Sequence, residues 1–173
     1  MSYNLASLRY PVAVVVLAAS TVIGIAEYED YREKAYIPVP GDVPTIGYGS
    51  TAGVKLGDKT TPARALRRLG EEAEGVYAAG IRKCVTVPVT AGVFGSLVSL
   101  AYSVGVPTVC RKALPGKPPN LIDLINAERF AEACERIEAF NKGPDGRGGK
   151  KVLPGLVKRR AEERRICEGG NAK

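Results

Sequence analysis

Residues Glu29–Thr51 read EDYREKAYIPVPGDVPTIGYGST. The stretch passes from clustered charge, through a turn dense in proline and glycine, to an alternating segment ending in Gly-Tyr-Gly. Upstream, nothing breaks a helix between Thr21 and Lys34, so the pattern predicts helix continuing to Ile37-Pro38. Pro38, Pro40, Gly41 and Pro44 then exclude helix, because proline lacks the N–H donor and clashes with the preceding turn. Thr45–Thr51 combines β-type residues with turn residues on both sides, which predicts a short strand in a hairpin or small sheet. Val54-Lys55-Leu56 predicts another. Glu29 thus falls near a helix end, Asp42 in the turn and Thr45 at the start of the strand.

Outward from this stretch the pattern is helical. Thr61-Pro62 has the form of an N-cap with proline at the first helical position. The segment 62–82 that follows is amphipathic, with Leu66, Leu69, Ala73, Val76 and Ala79 at helical spacing. Thr90 caps a helix over 91–104, apolar on most faces and so expected at the centre of the core. Residues 106–119 look loop-like and basic, and helices at about 120–126 and 128–140 follow. The tract 141–151 reads as an exposed turn region, and a helix over 155–167 dense in Arg and Lys closes the chain. No internal repeat is present. The predicted class is α+β: a small N-terminal β-hairpin lobe followed by a larger helical lobe.

The 173 residues suffice for one domain with a substantial core. A formal charge of +7 favours polyanionic partners, whether nucleic acid, anionic lipid or an anionic cell wall. The chain has no His, so the commonest general base and metal ligand is missing and chemistry falls to carboxylates, hydroxyls, thiols or amines. Four cysteines, Cys84, Cys110, Cys134 and Cys167, are scattered without CxxC spacing. No metal site or cofactor is expected from them; two disulfides in an oxidising compartment are. Three pairings exist. Cys134–Cys167 is preferred, since each lies on a predicted helix late in the chain, which leaves Cys84–Cys110 to bracket a mid-chain helix.

Residues 11–26, PVAVVVLAASTVIGIA, carry no charge, with Arg9 before them and Glu27, Glu29 and Asp30 after. As a helix the run would cover only about 24 Å, short of a hydrocarbon core of about 30 Å. Ala, Ser, Thr and Gly dilute its hydrophobicity further, and the flanking charges orient the N-terminus inward and the rest outward. A weak membrane segment, a cleaved signal peptide and a buried core helix all fit; hydropathy does not choose among them. Export in some form is expected.

A carboxyl at a helix end over a small sheet, with a polar group across a cleft, suits glycoside hydrolysis. One group protonates the leaving oxygen while another positions water. Glu, Asp and Thr so spaced occur in most proteins as helix charge and turn residues, so the residue types alone decide little. The pattern says more. Glu29, Arg32, Ala35 and Tyr36, then Thr45-Ile46-Gly47-Tyr48-Gly49, resemble the E-G-x-R-x-x-A-Y and T-I-G-Y-G-H motifs of the phage-type lysozymes (glycoside hydrolase family 24). VPVTAGVFGSLVSLAYSVG, residues 87–105, resembles that family's central helix, and LPGLVKRRAEERRIC, residues 153–167, its closing G-L-x-x-R-R-x-x-E.

That resemblance implies a muramidase that cleaves the β-1,4 bond between N-acetylmuramic acid and N-acetylglucosamine in peptidoglycan. Glu29 takes the place of the catalytic acid and Thr45 that of the threonine holding the attacking water. Arg160 takes that of the arginine beside the acid, with Tyr36 as a supporting residue. The family's Asp stands six residues before the Thr, where this chain has Val39; Asp42 is expected to supply the carboxylate from a shifted loop. Asp30 replaces the usual Gly and Ser50 the usual His. Glu27 and Glu33 are expected to be surface charges.

The family also includes signal-anchor-release endolysins. The expected division is therefore a weak anchor over 1–26 and a lysozyme-like domain over 27–173. The enzyme would be inactive while tethered to the host inner membrane through residues 11–26, N-terminus cytoplasmic, and active in the periplasm once released. A monomer is expected. Two rivals stand beside this: a non-catalytic peptidoglycan- or membrane-binding protein on the same fold, and a nucleic-acid binder using the basic helix 155–167, which an exported, disulfide-paired chain disfavours.

Overall fold

The computed structural model describes residues 8–39, 41–146 and 148–169. Pro40, residues 1–7 of the expected anchor and residues 170–173 of the expected domain lie outside the described residues. The architecture is a two-stranded hairpin near the N-terminus and a helical lobe built around one buried helix.

The helix α1 spans Ala19–Tyr28, and its C-cap, Glu29, is already extended at φ −108°, ψ 126°. The helix predicted to run through Lys34 therefore ends early, and Arg32–Tyr36 forms β1 instead. REKAY carries little strand preference. It is extended because β2, Thr45–Gly47, supplies an antiparallel partner, with Arg32 opposite Gly47 and Tyr36 opposite Thr45. Backbone pairing here outweighs local propensity. The predicted strand at Val54-Lys55-Leu56 is a turn, its Lys55 amide donating to Asp58 Oδ2 at 2.9 Å. The backbone that does add to β1 lies just beyond, where Lys34 bridges Lys59.

Thr61 accepts from the Arg64 amide at the start of α2, Pro62–Glu72. The helix continues through a π turn, Ala73–Ala78, into α3, Ala79–Cys84. A π turn inserts a residue and rotates the face that follows. Of the predicted apolar stripe, Leu69 and Ala73 are buried, but Val76 is 58% and Leu66 38% exposed; the core instead takes Ala78, at the end of the turn, and Ile81 beyond it. Thr90 Oγ1 accepts from the Val93 amide at 3.1 Å and caps α4, Ala91–Val104. Phe94, Leu97, Val98, Leu100 and Ala101 of α4 have no solvent exposure, so it is the central helix. Two of its glycines permit close approach: a Cβ on Gly92 would lie 2.5 Å from the Ile166 carbonyl, and one on Gly95 2.6 Å from Thr21 Oγ1.

After α4 come the short α5, Val106–Val109, then α6, Leu121–Asn126, and α7, Phe130–Arg136. The tract expected to be only an exposed turn pairs as a second hairpin, β3 (Lys142–Pro144) with β4 (Lys150–Val152). The last helix, α8, spans Pro154–Cys167. Most of its cations are engaged within the domain: Arg159 and Arg160 are buried, Arg164 pairs with Glu138 and Glu168, and Arg165 with Glu162, while Lys158 is exposed.

Cys84 is bonded to Cys110 and Cys134 to Cys167, so one bridge flanks α4 and the other ties α7 to the end of α8. Replacing Cys134 and Cys167 together by Ala is expected to cost about 2–4 kcal/mol, because the unfolded chain regains the freedom of a long loop. Urea denaturation of the variant and parent under non-oxidising work-up measures it; equal midpoints would show that the bridge contributes nothing.

The apolar run 11–26 is folded into the domain. Val12–Val14 form one 3-10 turn, Val15 is extended, and α1 begins at Ala19. Val15 is 5% exposed within the main core, and Ile25 is fully buried against Leu69 and Ala73. Arg82 Nη2 donates to the Val15 carbonyl at 2.8 Å, and Tyr10 bridges Val89 through two backbone hydrogen bonds. Among the described residues no helix is long and apolar enough to cross a membrane.

Candidate active site

Glu29 leaves the end of α1 with its carboxylate facing α8. Its Oε1 lies 2.8 Å from Nη1 of Arg159, whose side chain is only 5% exposed while that of Glu29 is 26% exposed. The arginine that meets Glu29 is therefore Arg159 and not the expected Arg160. Adjacent helical residues point about 100° apart, so which of the pair faces Glu29 depends on how α8 is rotated against α4.

Arg159 is itself held. Nε lies 3.3 Å from Glu163 Oε1, Nη2 donates to the Ser99 carbonyl at 3.4 Å, and the guanidinium sits over the Tyr28 ring. Ser99 Oγ donates to Glu163 Oε1 at 2.6 Å, and Ser96 Oγ donates to the Glu163 carbonyl at 2.8 Å. Arg160, fully buried, approaches Glu163 Oε2 at 3.1 Å; the contact lacks hydrogen-bond alignment and acts through charge. Burial disfavours charge on both partners. It pushes the Glu163 carboxyl above its ordinary value, against the pull of Arg160, Ser99 and Arg159, and holds Arg160 below its own.

The other oxygen of Glu29 faces the hairpin. A Cβ built on Gly49 would stand 3.7 Å from Glu29 Oε2 and 3.2 Å from the Tyr102 hydroxyl, and Gly49 has φ +92°, where glycine is favoured. Tyr102 donates its hydroxyl to the Tyr48 carbonyl at 2.6 Å, and its ring packs on Tyr77 with centroids 4.9 Å apart. Burial first, then the charges of Glu29 and Glu72, push the Tyr102 hydroxyl far above the ordinary tyrosine range, so it stays neutral and able to donate. Ser50, in place of the family histidine, donates to Glu72 Oε2 at 2.7 Å. Arg68 donates to Glu72 Oε1 at 2.9 Å and also to the Ala52 carbonyl, and together they tie the hairpin to α2.

Thr45 is buried on β2, opposite Tyr36, and its Oγ1 donates to the Val43 carbonyl at 3.2 Å. Tyr36 is 37% exposed with Arg32 over its ring. Asp42 is exposed, and its Oδ1 accepts from the Val43 amide at 2.8 Å, a local turn bond. A groove of about 600 Å³ lined by Thr21, Gly24 and Gly95 shares Tyr28, Ser99 and Glu163 with the Arg159 cluster, but none of Glu29, Asp42 and Thr45 lines it. Among the described residues no group of His, Cys, Asp and Glu is placed to hold a metal. Glu163, Ser99 and Tyr102 were not singled out from sequence. The spacing of Arg159 and Glu163, one helical turn apart, and a tyrosine and serines in a mostly apolar α4 were the available signals.

The phage lysozyme family model matches residues 26–163, which takes in Glu29, the hairpin, α4 and the Arg159–Glu163 turn. The chain belongs to the phage lysozyme family. It is 33% identical to an endolysin of Bacillus phage B103 over 86% of this chain and 52% of that one. It is 31% identical to the SAR-endolysin of Pseudomonas phage phiKMV, over 86% of each. Among solved structures it is similar to the endolysin from Escherichia coli O157:H7 phage FAHEc1, with a TM-score of 0.73 and 28% identity over 89% of this chain and 94% of that one. The chain spans about half the length of the Bacillus phage relatives it matches. Within this family, the small hairpin lobe and larger helical lobe are the expected lysozyme-like α+β fold.

Proposed function

We propose that the protein is an endolysin that hydrolyses the β-1,4 bond between N-acetylmuramic acid and N-acetylglucosamine in peptidoglycan. The observation that carries this reading is the placement of Glu29: Oε1 on the buried Arg159, Oε2 turned toward the Gly-Tyr-Gly corner of the hairpin. A proton on Oε2, the oxygen Arg159 does not engage, would pass to the glycosidic oxygen as that bond breaks. The guanidinium would then stabilise the carboxylate left behind. Water would attack the anomeric carbon from the opposite face, oriented by Thr45 Oγ1, and lose its proton toward Asp42. Asp42 uses Oδ1 in its turn and is exposed, which leaves Oδ2 open to water. Tyr36 supports Thr45 from the facing strand. The charge of +7 would aid adhesion to an anionic wall, an effect that weakens with salt.

Incubation with purified peptidoglycan followed by product analysis tests the reading. New reducing N-acetylmuramic acid ends are expected. Reducing N-acetylglucosamine ends would move the cleavage to the other bond, and wall binding without new ends would favour the non-catalytic alternative.

In the same reading, residues 11–26 first tether the chain to the host inner membrane, N-terminus cytoplasmic, and activity appears on release to the periplasm. Support comes from the double use of one segment. A membrane helix over 11–26 would withdraw Val15 and Ile25 from the two cores and would hold Glu29 within three residues of the bilayer. Membrane insertion and an assembled site then exclude each other. Deleting residues 1–26 is therefore expected to give inert protein by removing core, and so cannot test release. Ser20→Leu with Gly24→Leu can, because Ser20 is exposed and a Cβ on Gly24 meets nothing within 4 Å. The variant should accumulate in the membrane fraction and lyse cells late, while keeping activity when refolded from denaturant. Unchanged fractionation and lysis timing would remove the tether from the account.

A further inference from the structure

Glu29 is gripped on its Oε1 side by charge, while its Oε2 side faces backbone. That backbone is the Tyr48–Gly49 corner, whose Gly49 has left-handed φ and no side chain of its own to hold it. Tyr102 reaches it from the central helix. We propose that Tyr102 is a positioning residue for hydrolysis: by donating its hydroxyl to the Tyr48 carbonyl it fixes the hairpin corner beside Glu29 Oε2 and so sets where the acid's proton points. The inference rests on Glu29 being the general acid.

Three features make this more than a packing contact. The hydroxyl and Glu29 Oε2 both lie within 4 Å of the same point over Gly49, so movement of that corner is felt at once by the acid. The donor sits on α4, the central helix of the core, and its ring is braced by Tyr77, so its place is set by the core rather than by the hairpin. Arg159 braces Oε1 through the carbonyl of Ser99, which is also on α4. One rigid helix therefore references both walls of the site. Small displacements of a reacting group are costly in rate, so a hydrogen bond that holds geometry acts mainly on turnover.

Tyr102→Phe removes the hydroxyl and keeps the ring on Tyr77. With soluble peptidoglycan fragments as substrate, kcat should fall about tenfold with KM within about twofold of the parent. Near-UV circular dichroism at the assay temperature should show both proteins fully folded. Tyr77→Phe, which leaves the Tyr102–Tyr48 bond in place, should keep the parent kcat. A Tyr102→Phe enzyme with kcat within twofold of the parent overturns the proposal, as does a loss matched by the unfolded fraction or appearing only in KM. Glu29→Gln in the same assay separates the two levels. If that variant is inactive and Tyr102→Phe is unimpaired, the positioning role fails alone; if Glu29→Gln remains active, the reading of the acid fails first.

Discussion

Glu29→Gln is expected to lower hydrolytic turnover by about 10²–10⁴-fold with the fold intact. Glutamine has nearly the same shape, and its amide oxygen can still accept from Arg159 Nη1, where Oε1 now lies 2.8 Å away. It has no acidic proton for the leaving oxygen. Arg159 would not be left alone, because Glu163 remains on its Nε, so the stability change should be small beside the rate change. Release of reducing ends from purified peptidoglycan measures the rate, and thermal unfolding followed by circular dichroism measures the fold. Turnover within tenfold of the parent would show that Glu29 does not supply the proton, and the next carboxylates to examine would be Asp42 and Glu33.

Glu163→Ala should have the largest effect on stability, about 3–5 kcal/mol, because removing one member of a buried ion pair strands the other. Here it strands Arg160, which has no solvent exposure, and leaves the Ser99 hydroxyl without the acceptor it now reaches at 2.6 Å. Activity should fall as well, since Arg159 loses the contact that aims it at Glu29. Urea denaturation gives the stability loss; a midpoint shift worth less than about 1 kcal/mol would show that the cluster is not what holds α8 against α4. The comparison with Glu163→Gln adds a pH test. Burial raises the Glu163 carboxyl above 4.5 in the folded protein, so the folded state binds its proton more tightly than the unfolded chain does. That contribution is complete below about pH 4.5 and is lost as pH rises through the raised value. The parent should therefore lose stability relative to Glu163→Gln as pH rises through that window, and the opposite slope would place the folded carboxyl below its ordinary value.

Much of this site was legible residue by residue. Thr61 and Thr90 cap helices because a hydroxyl followed by an unpaired amide is a local arrangement, complete within four residues. The hairpin corner was legible for the same reason, glycine and proline being strong local punctuation. Strand β1 was not, because REKAY becomes a strand only when Thr45–Gly47 lies beside it. The stripe on 62–82 went out of phase at Val76, where a π turn that no single residue announces rotates the helix.

The amino-acid sequence by itself carried the family motifs, the helix caps and the proline- and glycine-marked turn before Thr45, since each is written in residues close together in the chain. Only the tertiary structure decided that Arg159 and not Arg160 meets Glu29, that Glu163 and Tyr102 stand behind Glu29, and that Val15 and Ile25 of the apolar run 11–26 are buried in the protein core. The reason is common to all three. A side chain's partner depends on how its helix is rotated and what is packed beyond it, and hydropathy measures an apolar surface without recording whether lipid or Leu69 will cover it.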